Sequence, residues 1–275
     1  MIEVQRATNL SSHDLETFEQ GGYLLLRGVY SASEIALIRE TFMRQADTGP
    51  VEGLSQMPEA FSREDPLNFY PRMMNPHRHP DKTVGRVALD FLLAPRPEVI
   101  VLSLIGKEPL AVQTMFYFKP PGARGQALHQ DNFYLRVQPG TCLAAWLAVD
   151  DVNAENSGMK VVPGTQRYEI VCPEEADLNF SFTKEHVPVP EGMQAVHVDM
   201  KAGDVLFFNG SLIYSSTPNT SRDRFRYSLI AHYVPKSCEE VTHWYKPLLN
   251  FSQLVVEKVL ASGGGPCGTE AAVLH

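Results

Sequence analysis

The chain from about residue 110 onward consists of short apolar segments, and this pattern constrains the fold more than any other feature. The segments are rich in β-branched and aromatic residues, and Pro, Gly, Asn and Asp separate them. Several such segments at regular spacing are typical of an antiparallel sandwich or jelly roll. The clearest are LAVQTMFYFKP at 110–120, CLAAWLAVD at 142–150, MKVVPGTQR at 159–167, QAVHVDMKAGDVLFFNG at 194–210 and FRYSLIAHYVP at 225–235.

Helices are predicted before these segments. Ser11 or Ser12 can cap a first helix, which the glycine pair at 21–22 ends. A short strand follows, and then Ser31 with Glu34 three residues later fits the capping box of a second helix. Two further helices are expected near 83–93 and 96–105.

The chain shows no internal repeat and no low-complexity linker, which favours a single domain over 1–275. We expect a mostly helical part at 1–109 that packs on a double-stranded β-helix core at 110–236. The C-terminal segment 237–275 is Gly-rich, and its end is expected to be disordered. The predicted fold class is therefore mainly β with flanking helices.

Residues 48–82 contain many Pro and Gly residues and no clear periodicity, which predicts a long loop or lid over a pocket. The segment offers apolar and cationic side chains, which suit a hydrophobic or mixed small-molecule substrate, including one with an acidic group. The apolar candidates are Phe61, Phe69, Tyr70, Met73 and Met74, and the cationic candidates are Arg63, Arg72, Arg78 and Lys82.

Composition argues against several classes of protein. The net charge is −8, and no basic footprint for nucleic acid is present. No apolar run approaches the ~20 residues that span a bilayer, and no secretory signal is recognisable, so a cytoplasmic protein is expected. The four cysteines at 142, 172, 238 and 267 show no paired spacing, which predicts free thiols rather than a disulfide or zinc site.

His129 and Asp131 stand two residues apart in the stretch ALHQDNFYL. In a strand, residues i and i+2 point to the same face, so the two side chains could aim at one point. Two histidines and one carboxylate form the facial triad of non-haem Fe(II) oxygenases. The pattern HxD alone is weak evidence, and the alternative is a surface histidine followed by an aspartate in a turn.

Arg226 and Ser228 are also two residues apart, in a predicted strand. A guanidinium and a hydroxyl on one strand face suit a carboxylate, because the guanidinium fork contacts both oxygens. The alternative is an arginine that pairs with an acidic side chain at the surface.

These residues lie in blocks that resemble the phytanoyl-CoA dioxygenase family of Fe(II)/2-oxoglutarate-dependent oxygenases. The resemblance covers most of the chain, and the order and spacing of the blocks are far more specific than HxD alone. The blocks are GGYLLLRGVYSASEIALIRE at 21–40, HQD at 129–131, AAWLAVDDVNAENSGMKVVPGTQR at 144–167, KAGDVLFFNG at 201–210 and NTSRDRFRYSLIAHYVP at 219–235.

The resemblance implies a double-stranded β-helix and a reaction in which 2-oxoglutarate and O2 become succinate and CO2 while a substrate C–H bond is oxidised. His129 and Asp131 match the first two iron ligands, and Arg226, with Ser228 beside it, matches the arginine that pairs with the distal carboxylate of 2-oxoglutarate. The residues expected to line the same co-substrate pocket are Gln113, Tyr117 and Trp146, each of which could instead be an ordinary core or sheet residue.

The chain departs from the family at the second histidine ligand. The family has a segment like LIHGSxPN, and here LIYSSTPN places Tyr214 at the histidine position. Tyr214 could bind iron as a phenolate, or iron could bind through His129 and Asp131 only. The protein could also have kept the pocket without oxygenase chemistry, or position 214 could have been changed from histidine by engineering.

Other histidines are poor substitutes on sequence grounds. His232 shares a strand face with Arg226 but lies about 20 Å from it along an extended strand, which we interpret as too far. The remaining candidates are expected to face solvent: His77, His79, His186, His197 and His243. The leading hypothesis is an oxygenase that hydroxylates or desaturates a small molecule. The alternatives are a redox-silent binding protein or isomerase-like enzyme, and a cupin-like enzyme with another metal.

Overall fold

The computed structural model describes residues 10–57, 64–257, 259–262 and 267. The helices are α1 Ser12–Gly21, α2 Ala32–Ala46, α3 Pro66–Phe69, α4 Thr83–Leu93, α5 Pro95–Ile105 and α6 Asn132–Leu135. The first strands are β1 Tyr23–Leu26, β2 Ser55–Gln56, β3 Arg72–Met74, β4 Pro109–Tyr117, β5 Gln126–His129, β6 Leu143–Ala148, β7 Met159–Val162, β8 Glu174–Glu175 and β9 Glu185–His186. The later strands are β10 Val196–Val198, β11 Val205–Asn209, β12 Ile213–Ser216, β13 Ser228–Pro235, β14 Glu240–Thr242, β15 Leu248–Leu249, β16 Val255–Val256 and β17 Leu260–Ser262.

Two antiparallel sheets form the centre of the molecule. The large sheet has the order β1-β11-β6-β13-β4-β15-β16, with β3 pairing to β4 and β2 to β3. The small sheet has the order β10-β7-β12-β5. The fold is mainly β with flanking helices, and it confirms the predicted double-stranded β-helix. The predicted core at 110–236 is too narrow, because β1, β2, β3, β15 and β16 also belong to the large sheet.

Alternation along the central strands of the large sheet creates two faces. Phe116 and Phe118 on one face pack with the N-terminal helices, and Met115 and Tyr117 on the other face the small sheet. Phe42 of α2 stacks on Phe116 with ring centroids 4.0 Å apart. The helices therefore cover the outer face, and the inner face is left for a site between the sheets.

The helix boundaries follow from local capping, as the sequence predicts. Ser11 caps α1 in a capping box with Asp14, and Ser31 caps α2 in a capping box with Glu34. The chain leaves α1 through Gly22 at φ 79°, a left-handed conformation that glycine adopts without steric cost. These caps confirm the prediction of the two N-terminal helices, and α4 and α5 confirm the other two.

The prediction that 48–82 is a long loop is wrong in part, because short elements interrupt a segment that is otherwise largely irregular. The segment contains β2, α3 and β3, and Met73 and Met74 are buried because β3 pairs with β4. Short elements were missed because two to four residues are too few to show a period. Phe61 and Arg63 lie outside the described residues.

The expectation of four free thiols is also wrong. Cys172 and Cys267 form a disulfide across a sequence separation of 95 residues, with Cα atoms 5.5 Å apart. Sequence spacing could not reveal the pair, because the fold alone brings these positions together. Cys142 and Cys238 are free and buried.

The C-terminal segment contributes β17, which pairs with β14 in parallel. The predicted disordered end at 268–275 lies outside the described residues. Among the helices of the described ranges, none is long and apolar enough to cross a membrane.

Candidate active site

The His129–Asp131 pair lies at the end of a strand rather than within one. β5 ends at His129, and Asp131 precedes α6 in the right-handed helical region at φ −60°, ψ −35°. The predicted same-face strand geometry is therefore wrong for Asp131. The tight turn nevertheless brings the two side chains together, with His129 Nε2 3.6 Å from Asp131 Oδ1 and both residues buried.

The tautomer of His129 is set by the backbone. Its Nδ1 lies 2.8 Å from the Ala127 carbonyl oxygen. Because a carbonyl oxygen can only accept, Nδ1 carries the hydrogen and Nε2 presents its lone pair toward Asp131. Burial lowers the pKa of His129, which favours this neutral, ligating form.

Tyr214 reaches the same carboxylate from the neighbouring strand. β12 pairs with β5 so that Tyr214 stands opposite His129, with ring centroids 4.2 Å apart. The phenol donates to Asp131 Oδ1 at 2.8 Å. Burial, followed by the negative charge of Asp131, raises the pKa of Tyr214 well above its ordinary value. Tyr214 is thus a neutral donor in this structure, at the position where the resemblance to the family predicts a second histidine.

His232 contacts Asp131 as well, and the sequence argument against it is wrong. Its Nε2 lies 2.9 Å from Asp131 Oδ2. Its separation from Arg226 along the strand is no obstacle, because the contact in question is with Asp131, whose side chain reaches His232 directly. The distance from His232 to Arg226 therefore could not predict the distance from His232 to Asp131.

Asp131 remains a carboxylate despite its burial. Burial alone would raise its pKa, but His232 and the hydrogen bond from the Tyr214 hydroxyl together hold the pKa below the ordinary value. Two donors on two different oxygens also fix the plane of the carboxylate.

Arg226 is buried in the interior as a second polar centre. Its Nη1 donates to Ser228 Oγ at 2.7 Å, and its Nε donates to the Ser157 carbonyl oxygen at 3.3 Å. The guanidinium carbon lies 5.1 Å from the centre of the Trp146 ring. Arg226, Ser228 and Trp146 are therefore brought together as the sequence predicted.

A small cavity between the sheets is lined by both Tyr214 and Arg226. Tyr214 lines one part of it and Arg226 another, and the predicted residues Tyr117 and Trp146 contribute walls. Gln113 is not among the lining residues; it stands opposite His232 on the adjacent strand.

Lys119 also lines this cavity, and sequence reasoning missed it. Its ammonium donates to the Arg124 carbonyl oxygen and lies 4.0 Å from the centre of the Phe182 ring. Burial, followed by the charge of Arg226, lowers its pKa. The sequence could have indicated Lys119, because it stands two residues after Tyr117 and four after Met115. If the alternation of the strand continues, all three side chains point to the inner face.

The cationic side chains of 48–82 occupy different places. Arg72 lies closest to the cavity: its Nη1 donates to the Tyr117 hydroxyl at 2.8 Å. Arg78 donates to the Tyr245 carbonyl oxygen, and Lys82 pairs with Asp81 at 3.7 Å.

The apolar side chains of 48–82 differ in the same way. Phe69 is exposed, whereas Tyr70 packs edge-on against Phe225. Met73 and Met74 belong to the sheet core, on opposite faces.

The remaining histidines are divided by burial. His197 and His243 are exposed as predicted, and His79 and His186 are partly buried. His77 is buried, against the prediction, because its Nδ1 hydrogen-bonds the Thr114 hydroxyl at 2.7 Å.

The donor set can be compared with the needs of an iron ion. Within 10–57, 64–257, 259–262 and 267, no three His, Cys, Asp or Glu side chains form a metal-binding group. His129 Nε2 and Asp131 Oδ1 fit two ligand positions, and the Tyr214 oxygen stands beside them as a third donor. These residues fit iron with one nitrogen and two oxygen donors rather than with two histidines.

Comparisons with known proteins show the family of the chain. The model of the phytanoyl-CoA dioxygenase family matches residues 18–227. Phytanoyl-CoA dioxygenase 1 of Oryza sativa subsp. japonica is 25% identical over 85% of this chain and 92% of its own.

Two solved structures have the same fold. One is a non-haem α-ketoglutarate-dependent carbocyclase, SnoK, from nogalamycin biosynthesis, with a TM-score of 0.64 and 23% identity over 85% of this chain and 87% of its own. The other is the epimerase SnoN in complex with Fe3+, α-ketoglutarate and nogalamycin RO, with a TM-score of 0.63 and 22% identity over 82% of this chain and 84% of its own.

Proposed function

The chain belongs to the phytanoyl-CoA dioxygenase family, and from that premise we propose that it oxidises a C–H bond of a small-molecule substrate, by hydroxylation or desaturation. The chain is a 2-oxoglutarate-dependent dioxygenase by family, with Fe(II) and 2-oxoglutarate as cofactor and co-substrate. The general reaction couples this oxidation to the conversion of 2-oxoglutarate and O2 into succinate and CO2.

One observation carries the proposal. One cavity is lined both by Tyr214, which is bonded to Asp131, and by the buried Arg226. A dicarboxylate such as 2-oxoglutarate has one acidic group for each of these two centres. The cavity therefore matches a co-substrate that binds iron at one end and a guanidinium at the other.

The roles of the metal-binding residues follow from their geometry. His129, Asp131 and Tyr214 would hold Fe(II), which supplies the activation of O2 when it is bound. His129 offers Nε2 in the required tautomer, and Asp131 offers Oδ1 as an ionised oxygen.

The co-substrate residues act at the other end of the cavity. Arg226 and Ser228 would bind the distal carboxylate through charge-assisted hydrogen bonds, which are stronger than neutral ones. The Lys119 nitrogen adds a further hydrogen-bond donor, and Tyr117 and Trp146 exclude water from the carbon chain.

Tyr214 has two possible roles within the proposal. It could lose its proton to bound iron and serve as a phenolate ligand, because a bound metal ion lowers the pKa of its ligands. It could instead remain a phenol that donates to Asp131. Burial and the charge of Asp131 raise its pKa in the metal-free protein, so the first role requires the metal to overcome both effects.

A second function is supported by the same contact. The Tyr214 hydroxyl occupies Asp131 Oδ1, the oxygen that faces His129. A member that keeps the pocket but binds iron weakly would act as a small-molecule binding protein or carry out non-redox chemistry.

The substrate entrance is proposed to lie beside Arg72, whose side chain covers Tyr117 and Phe182. Exchange of Arg72 for Gln should weaken binding of an acidic substrate, whereas exchange of the more distant Lys82 should not. Equal substrate affinity in the two variants would refute a role of Arg72 in substrate binding.

Succinate formation from 2-oxoglutarate, with added Fe(II) and O2, tests the proposal. The chain should be assayed beside Tyr214→His and Tyr214→Phe. Turnover by the chain and by Tyr214→His supports the oxygenase, and loss in Tyr214→Phe alone shows that turnover needs the tyrosine oxygen, as a ligand or as the donor to Asp131. Turnover by Tyr214→His alone favours the second function. Absence of turnover in every variant, with the small-molecule substrate class supplied, would refute the oxygenase.

A further inference from the structure

We propose that His232 is a positioning residue for the metal site, which holds Asp131 Oδ2 so that Oδ1 faces the metal. The inference rests on the proposed function, since it concerns the same carboxylate. His232 is buried, and its Nε2 lies 2.9 Å from Asp131 Oδ2.

The first argument is the rigidity of the strand that carries His232. β13 lies inside the large sheet, with β4 on one side and β6 on the other. His232 is opposite Gln113 in one ladder and Ala144 in the other. By contrast, Asp131 lies in the turn before the short helix α6. The His232 side chain, on the rigid strand, thus holds the Asp131 side chain, which lies on a turn.

The second argument is the hydrogen bonding of His232 itself. Because an ionised carboxylate only accepts, Nε2 is the donor in the contact with Asp131. The other nitrogen, Nδ1, is buried and has no hydrogen-bond partner within the described ranges. Asp131 is therefore the polar contact that offsets the burial of this imidazole, since a buried polar group without a partner destabilises a fold.

The third argument is that the two oxygens of the Asp131 carboxylate have different hydrogen-bond partners. Tyr214 binds Oδ1, and His232 binds Oδ2. Oδ1 is also the oxygen that faces His129. When Oδ1 becomes a metal ligand, the hydrogen bond from Tyr214 is exchanged or rearranged, whereas the bond from His232 persists. His232 would then be the contact that keeps the carboxylate from rotating away.

The consequence is a quantitative expectation for metal affinity. Partners that orient metal ligands typically contribute a factor of about 10–100 in metal affinity. His232→Phe should fill the same space without a donor, and should weaken binding by that factor. His232→Gln keeps an N–H of similar reach and should recover most of the affinity, whereas His232→Asn is too short and should not.

The experiment is a calorimetric titration of the full chain with Co(II), together with the visible spectrum of the bound ion. His77→Phe is the matched control, because His77 is also buried and hydrogen-bonded, but to Thr114. That variant should lose stability and keep its Co(II) affinity and spectrum.

The outcomes separate this inference from the proposed function. A wild-type chain that binds no Co(II) would refute the metal site and the inference with it. Wild-type binding with unchanged affinity in His232→Phe would overturn the inference alone. If His232→Phe does not fold, the two amide variants decide: equal Co(II) affinities for His232→Gln and His232→Asn would overturn the inference.

Discussion

Removal of the Tyr214 hydroxyl is the perturbation whose energetic effect can be worked out most directly. In the metal-free protein this hydroxyl donates to the buried, ionised Asp131 at 2.8 Å. Hydrogen bonds to charged groups contribute roughly 1.5–3 kcal/mol, and phenylalanine fills almost the same volume, so no cavity is added. We therefore expect Tyr214→Phe to lower the free energy of unfolding by about 2 kcal/mol, measured by urea denaturation at pH 7 without metal.

A second buried tyrosine provides the control. The Tyr233 hydroxyl donates to the Leu92 carbonyl oxygen at 2.9 Å, which is a neutral acceptor. A neutral hydrogen bond contributes about 1 kcal/mol, so Tyr233→Phe should cost roughly half as much as Tyr214→Phe. A cost for Tyr214→Phe equal to or below that of Tyr233→Phe would refute the reasoning.

The dependence on pH supplies an independent check. The pKa of Asp131 lies below its ordinary value in the folded protein. A depressed folded pKa contributes stability that is present above the unfolded pKa and is lost as pH falls through the folded pKa. The stability difference between wild type and Tyr214→Phe should therefore be constant from about pH 7 to 5 and narrow below the ordinary aspartate value of 3.8.

Three further predictions concern other parts of the molecule. Arg226→Met should weaken anaerobic 2-oxoglutarate binding by about 100-fold, because roughly 3 kcal/mol of charge-assisted hydrogen bonding is lost. Arg226→Lys should have an intermediate affinity, and calorimetry that finds equal 2-oxoglutarate affinities for wild type and Arg226→Met would contradict the assignment. Phe42→Ala should lower the free energy of unfolding by about 3–5 kcal/mol, since Phe42 is fully buried against Phe116; a loss below about 1 kcal/mol in urea denaturation would show that helix α2 does not hold the sheet. Burial raises the pKa of the Cys142 and Cys238 thiols, so neither should be alkylated in the native protein at about pH 8; rapid labelling detected by mass spectrometry without reductant or denaturant would contradict this burial.

The sequence predicted the outline of the fold because its patterns are local. The capping boxes at Ser11 and Ser31 lie within four residues of the backbone groups that they satisfy. Alternation along β4 and β13 likewise depends on the strand period alone. Patterns of this kind failed for 48–82, where elements of two to four residues form because they pair with β4.

The site was predictable in part for the same reason. The positions of His129, Asp131, Arg226 and Ser228 were visible because the two residues of each pair stand only two positions apart. The geometry assumed for Asp131 was nevertheless wrong, since a turn rather than a strand carries it. The Cys172–Cys267 disulfide was missed because no local pattern encodes a pairing across 95 residues.

The sequence by itself determined the family, the fold class and the residue types available to bind iron and a dicarboxylate. Tertiary structure decided which of these side chains contact one another. Tyr214 bonds one oxygen of Asp131, and His232 bonds the other from a position 101 residues away in the chain. The physical reason is that sheet register and close packing set distances between side chains that no local spacing contains.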